Sequence, residues 1–340
     1  MADLTEQIKK MHEADDFFGI IRLIEAQSES TYELALQYAR ACINAARKTS
    51  DSFTLTQKAQ EALDRYAIQG KDDPYWLFYK GFALYLEGLV PESITRLERA
   101  MRFIRVGEDQ ALFAHVSNLA AVCKAELIEA EFPGIDHQEK DELLAHIKEQ
   151  FGPVHKLAGA YKVDILHVGP NENHPYHVLM TCGLSGRRLP VPEGFDVKSN
   201  SRLELCIMLP ENYEFVNDKD RDWPVFLLLK LIEQIISSQE FIGFGYYIDY
   251  GRPFSLATNF CGLMLTALGD YPGVSQSKVM PSGEVVHFFQ VVPLKKMEVE
   301  YRSRHTASAL LNKFKSNGIS LTPVDENRPD VGAGVDSVGV

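Results

Sequence analysis

The chain has 340 residues, 45% of them apolar and 24% charged, a globular composition with enough length for two domains. Its 47 acidic residues against 35 basic ones leave a net charge of −12. That balance argues against a phosphate-backbone binder, because counterion release needs clustered Lys and Arg.

The opening Met1-Ala2-Asp3-Leu4-Thr5-Glu6 has neither a basic n-region nor an apolar h-region. Apolar stretches are interrupted before the roughly 18 residues a membrane helix needs. The expected setting is cytoplasmic, with no membrane or nucleic-acid partner. Cys42, Cys123, Cys182, Cys206 and Cys261 are scattered, odd in number and never spaced C-x-x-C. Buried reduced thiols are expected, not a disulfide framework or zinc knuckle.

Residues 1–150 read as helix throughout. Met11 to Ala26 and Tyr32 to Ala46 carry apolar residues at spacings of three and four. Breaks fall at Ser50-Asp51, Gly70 to Pro74, Gly88 to Pro91 and Gly107 to Asp109, with Pro74 and Pro91 suited to first turns. Between Pro74 and Gly107, the order Leu77, Gly81, Gly88, Ser93, Leu97, Ala100 sets small residues where two helices cross and large ones in the groove between. That order resembles the tetratricopeptide repeat, and implies an α-solenoid of about four helical hairpins. This stretch carries a net charge of −9. The charge reads either as a solvated face or as an acidic concave surface for a basic peptide.

From about Tyr161 the pattern turns to short apolar runs rich in β-branched and aromatic residues: Val163 to Val168, His177 to Cys182, Leu203 to Leu209, Phe260 to Leu265 and Val285 to Val292. A helix over Trp223 to Ser238, with Asp222 as N-cap and Pro224 in its first turn, divides the strands. Another is expected from about Met297 to Lys315. The predicted architecture is an α-helical, TPR-like repeat region over 1–150 and an α+β domain over 151–325. The second has a mixed β-sheet flanked by helices. Residues 326–340 end in a Gly/Val/Asp/Ser run and read as a flexible tail.

Candidate chemistry concentrates in the second half. His174 and His177 flank Pro175-Tyr176, but residues three apart on a strand face opposite ways, and no third ligand follows at a metal spacing. Cys182 and Ser185 near these histidines raise a Cys/Ser or metal-dependent hydrolase as an alternative, although Gly183-Leu184-Ser185-Gly186 lacks the G-x-S-x-G frame. Arg187 and Arg188 read as solvent-facing turn residues or carboxylate contacts. The run Phe241 to Tyr250, with Gly243 and Gly245 among Phe244, Tyr246, Tyr247 and Tyr250, reads as a core-covering loop or a peptide-accepting lip.

Thr181 to Ser185, Glu204-Leu205 running to Leu209-Pro210, Trp223-Pro224, the Gly243-to-Pro253 loop, Val285 to Pro293 and Glu298 form an ordered series. Together they resemble the suppressor-of-fused domain over roughly residues 150 to 325. The resemblance implies a non-enzymatic, cytoplasmic protein-binding α+β domain without cofactor or metal. Animal members hold an extended peptide of a transcription factor as an added strand, and bacterial members resemble immunity proteins that neutralise a toxin domain. The helical region fits a bacterial member. Carried onto this chain, the contact positions are Gln234 and the loop with Tyr246, Tyr247, Asp249 and Tyr250. Tyr176 and His177 match the early strand's aromatic–histidine pair. Tyr246 stands where the animal domain presents an acid, which implies a different peptide motif. Steric occlusion of a protein partner is the expected mechanism. A third reading is a scaffold that binds through the helical region alone.

Overall fold

The computed structural model describes residues 2–104, 109–172, 174–268 and 274–332, so the break at Gly107 and the end of the tail lie outside the described residues. Two compact units divide between Glu131 and Phe132.

The first unit is helical: α1 (Ala2–Glu13), α2 (Phe17–Glu25), α3 (Tyr32–Ala46), α4 (Ser52–Asp64), the single turn α5 (Ala67–Gly70), α6 (Pro74–Leu86), α7 (Val90–Phe103) and α8 (Gln110–Glu131). The helix expected over Met11 to Ala26 is two helices. Asp16 breaks it by accepting the Gly19 amide at 2.9 Å as the N-cap of α2. Asp73 caps α6 in the same way, and Pro74 occupies its first turn. The small residues between α6 and α7 act as expected: a Cβ on Gly81 would lie 3.1 Å from Leu97, and Ser93 Oγ donates to Gly81 O at 2.8 Å. One core, including Ile20, Leu63, Trp76, Leu77, Leu97 and Val116, runs through the helices. The expectation that no apolar stretch reaches membrane length fails for α8, whose 22 residues are apolar enough to span. Core packing accounts for part of that apolarity, since Leu112, Val116, Leu119, Ala120 and Cys123 are buried.

The second unit begins one helix earlier than the 150/151 boundary. Helix α9 (His137–Phe151) places Leu143, Ile147 and Phe151 against Leu166, Val178 and Met208 of the sheet, so it cannot belong to a repeat. Then follow β1 (Val154–Ala160), β2 (Val163–Val168), β3 (Tyr176–Cys182), a 3-10 turn at Leu184–Gly186, α10 (Val197–Asn200), β4 (Arg202–Pro210), α11 (Trp223–Ser237), β5 (Tyr247–Asp249), β6 (Gly262–Ala267), β7 (Ser277–Val279), β8 (Val285–Leu294), α12 (Lys296–Arg304) and α13 (Ala307–Ser316). The last two replace the single helix expected from Met297 to Lys315. Thr306 restarts the chain as N-cap of α13 by accepting the Ala309 amide at 3.2 Å.

The sheet is mixed, in the order β1-β2-β3-β4-β8-β6-β5, with β7 paired to β8 and β4–β8 its parallel pair. Helices α9, α12 and α13 cover one face through the two clusters around Met180 and Met264. Helix α11 packs on β1 and β2.

Buried charges fix the frame. Glu204 is fully buried and accepts from Thr181 Oγ1 (2.5 Å) and from the amides of Gly183 (2.9 Å) and Ser185 (3.0 Å), binding the turn after β3 to β4. Desolvation pushes its pKa up, and these bonds oppose the rise. Arg202, also buried, joins Glu139 at 2.6 Å to Glu284 at 2.8 Å. Arg188 chelates Glu284 from outside at 2.9 and 2.7 Å, and Arg187 donates to Ser238 O at 3.0 Å. Both arginines therefore have partners within the domain.

The tail reading is corrected over 326–332. Glu298 is fully buried and accepts from both terminal nitrogens of Arg328, from Lys295 N at 2.8 Å and from Val331 N at 3.2 Å. Trp223 Nε1 donates to Glu326 Oε1 at 2.6 Å. The segment is a strap held by a buried ion pair, which composition alone cannot reveal.

Three histidines lace β1 to β3. His155 and His167 are direct cross-strand partners, and His167 meets His177 on the diagonal, each pair at 2.8 Å between ring nitrogens. His177 Nε2 lies 3.0 Å from Glu211 O. A carbonyl only accepts, so His177 carries its proton on Nε2 and accepts at Nδ1 from His167, which in turn accepts at Nδ1 from His155. Burial, then the His155 and His177 charges, lower the His167 pKa to about 4.

Two predictions follow from these buried groups. Arg328→Ala removes the ion-pair partner of buried Glu298, leaving it only the Lys295 and Val331 amides, and lowers unfolding free energy by about 3–5 kcal/mol in urea titration; an unchanged midpoint would make the strap dispensable. For His167, the folded state resists protonation while the unfolded chain does not. Its stability contribution is therefore complete at neutral pH and is lost as pH falls from the ordinary 6.5 towards about 4. Urea midpoints of wild type should fall over that window, with a shallower fall in His167→Gln.

Candidate functional site

The site is built around β5, the edge strand beyond β6. Tyr247 pairs with Met264, Ile248 with Leu263 and Asp249 with Gly262. Leu265 N donates to Tyr246 O at 2.8 Å and Tyr250 N to Cys261 O at 2.9 Å. Antiparallel alternation therefore turns the backbones of residues 246, 248 and 250 towards β6. The amides and carbonyls of Tyr247 and Asp249 point the other way, off the edge.

Two glycines, Gly245 in the loop and Gly262 on β6, have steric work. Gly245 has φ +81, and an added Cβ would lie 3.0 Å from Ala307. Its carbonyl accepts from Arg302 Nη2 at 2.7 Å, and the same guanidinium lies 4.7 Å from the Tyr247 ring centroid. Gly262, opposite Asp249, has no room for a side chain: a Cβ would sit 2.7 Å from Ile248 O.

Gln234 and Tyr250 come together, with Tyr250 Oη donating to Gln234 Oε1 at 2.6 Å. Lys230 Nζ stands 4.0 Å from the Tyr250 ring centroid, and Phe254 packs on the ring edge-on. Burial pushes the Tyr250 pKa up. These contacts make Tyr250 the anchor of the loop on α11. Tyr246 and Tyr247 are half-buried, and burial followed by the Glu240 charge raises the Tyr246 pKa. Asp249 is exposed and uses Oδ1 to accept the Gly251 amide at 2.7 Å.

Tyr176 and His177 do not join this group. They lie on β3, with β4, β8 and β6 between them and β5, a separation of about 19 Å at the usual strand spacing. Nor do they pair with each other. Tyr176 stacks on His174 at 5.2 Å, and His177 packs against His167 and Phe215.

The hydrolase alternative loses its geometry. His177 and Cys182 occupy odd and even positions of β3 and so face opposite sides of the sheet. Cys182 is buried, and desolvation followed by the Glu204 charge raises its thiol pKa, the reverse of an activated nucleophile. His174 is spent on Phe151 O and Asn171. No group of three His, Cys, Asp or Glu is placed to hold a metal among the described residues. All five cysteines are buried and unpaired.

An apolar strip was not legible in the sequence. Phe195 (60% exposed) and Phe241 (38%) have ring centroids 6.4 Å apart, and Phe244 (52%) is exposed three residues before β5. The separation of 46 positions between the first two leaves no local pattern to signal the contact.

No curated protein matches the chain in sequence. Among solved structures it is similar to a suppressor-of-fused homologue from Neisseria gonorrhoeae, with TM-score 0.44, 16% identity, and coverage of 58% of this chain and 98% of that one. It is also similar to a chain in a Sufu–Fu complex (TM-score 0.43, 17% identity, 57% of this chain and 92% of that one). A third is Drosophila Suppressor of Fused (TM-score 0.37, 18% identity, 50% and 42%). The family profile described as suppressor of fused protein (SUFU) matches residues 159–329, half of the chain, and the chain therefore belongs to the suppressor of fused family.

Proposed function

We propose that this chain is a non-catalytic protein-binding member of its family that takes an extended segment of a partner onto the free side of β5. The observation that carries the reading is the outward-pointing backbone of Tyr247 and Asp249 on an edge strand. Such an edge supplies main-chain hydrogen bonds, and neighbouring side chains choose the sequence. Tyr246, Tyr247 and the exposed Phe241 and Phe244 supply aromatic surface at low entropy cost. Asp249 adds an acidic rim. Gln234 and Tyr250 serve this surface indirectly, by fixing the loop to α11. Tyr176 and His177, four strands away, are outside it.

The finer role we favour is a bacterial immunity factor that neutralises a toxin domain by occlusion. It rests on the family relationship and on the pairing of a helical region with the sheet domain. A cytoplasmic setting belongs to the same proposal.

Capture from the native source by the intact chain, followed by mass spectrometry, identifies the partner. A stoichiometric protein that is toxic when expressed alone supports immunity, and recovery of none contradicts it. With that partner, Tyr246→Ala and Tyr247→Ala should each weaken binding by about 2 kcal/mol, roughly thirtyfold, with folding retained. Tyr250→Ala should lower thermal stability as well. Unchanged affinity in all three variants would remove the site.

A further inference from the structure

The helical unit holds a second constellation, independent of the β5 edge. Three cavities of about 390, 330 and 750 Å³ open on it, and all three are lined by Arg40 of α3. Asn44 of α3 and Arg47, its C-cap, line the first two, and His12 of α1 lines the first and third. Shared walls make them one trough across α1, α3 and α6. Residues 40, 44 and 47 fall on one face of α3 by helical spacing.

The centre of the trough is opposite in charge to its surroundings, while Lys9, Glu13 and Glu33 line its α1 end. Residues 1–131 carry a net −6, yet the middle of the trough carries two arginines whose side chains have no ion pair or hydrogen bond among the described residues. The acids at that centre are already engaged. Asp15 pairs with Lys48 at 2.9 Å, and Asp109 accepts from Tyr75 Oη and from Leu112 N at 2.9 Å. Arg40 and Arg47 are both exposed. The trough is thus cationic at its centre, unlike the acidic concave surface that is one of two readings of this unit's charge.

One further feature suits a peptide. On the facing wall, Tyr75, Phe78, Tyr79 and Phe82 form a contiguous aromatic ladder along α6, with successive centroids 5.5 to 6.4 Å apart. Arg47 lies 5.6 Å from the Phe82 centroid, at the seam between the ladder and the cationic strip.

We propose that this trough binds an extended acidic peptide bearing apolar side chains, with its carboxylates on Arg40 and Arg47 and its apolar side chains on the α6 ladder. Guanidinium groups donate to carboxylates in strong charge-assisted bonds, and the aromatic wall supplies apolar contact. A nucleic acid is the competing polyanion, and it lacks the aliphatic side chains that would cover the α6 wall.

The test uses the full chain and three fluorescein-labelled probes: a ten-residue peptide of alternating glutamate and leucine, its lysine–leucine counterpart, and decathymidylate. Fluorescence anisotropy should show saturable binding of the acidic peptide alone, weakening as salt rises from about 50 to 500 mM. Arg40→Glu and Arg47→Glu should each reduce affinity roughly tenfold, and Tyr247→Ala should leave it unchanged. Arg40→Gln with Arg47→Gln gives the same readout if charge reversal shifts the thermal unfolding curve. No saturable binding up to millimolar peptide, equal binding by the double variant, or equally tight binding of decathymidylate or the lysine peptide would each overturn the proposal.

Discussion

An open β-sheet has two edges, each a row of amides and carbonyls that the sheet itself cannot satisfy, and the second unit is organised around that constraint. At one end, β1 is interrupted by a bulge between Lys156 and Ala158 and carries the exposed Lys156. A bulge twists a strand away from a flat template and discourages pairing. At the other end, β5 is regular but only three residues long. Its exposed side offers the hydrogen-bonding groups of two residues. Loop 243–246 and helix α11 brace it from both ends, through the Arg302–Gly245 and Tyr250–Gln234 bonds.

The rigidity of that edge traces back to charges that water does not reach. A buried carboxylate is tolerable only when its oxygens are matched, and Glu204 and Glu298 are both matched largely by backbone amides and one strong partner each. Glu204 joins β4 to the turn after β3. Glu298 joins α12, which supports β5 and β6, to the strap at 326–332. Each pins a chain segment of little regular structure to the sheet. The first unit instead relies on close approach of small residues, as at Gly81 and Ser93.

Much of this was legible because it follows from local pattern. The helical run, the strands β2, β3, β4, β6 and β8, and α11 with its proline in the first turn all announce themselves by period and by flanking residues. Strands β1, β5 and β7 did not. Val154–Ala160 has only one β-branched residue, and three-residue strands are too short to show a period. The boundary at 150 failed because the apolar face of α9 looks like any other helix face; only its contact with Met208 and Val178 assigns it to the sheet. The tail failed because Arg328 and Glu298 are thirty residues apart and their pairing has no signature in sequence. Of the site, the Gln234–Tyr250 group came together, whereas His177 turned out to belong with His155 and His167. Four histidines between positions 155 and 177 were the available signal, but strand register was needed to read it.

The claim that most needs a direct measurement is the free edge of β5. Hydrogen–deuterium exchange, resolved to single amides, should be followed on the free chain and on the chain with its captured partner. The account predicts that the Tyr247 and Asp249 amides exchange fast when free and become protected when bound, while Ile248, already paired to β6, changes little. Protection confined to other segments, with Tyr247 and Asp249 exchanging as before, would contradict strand addition at this edge.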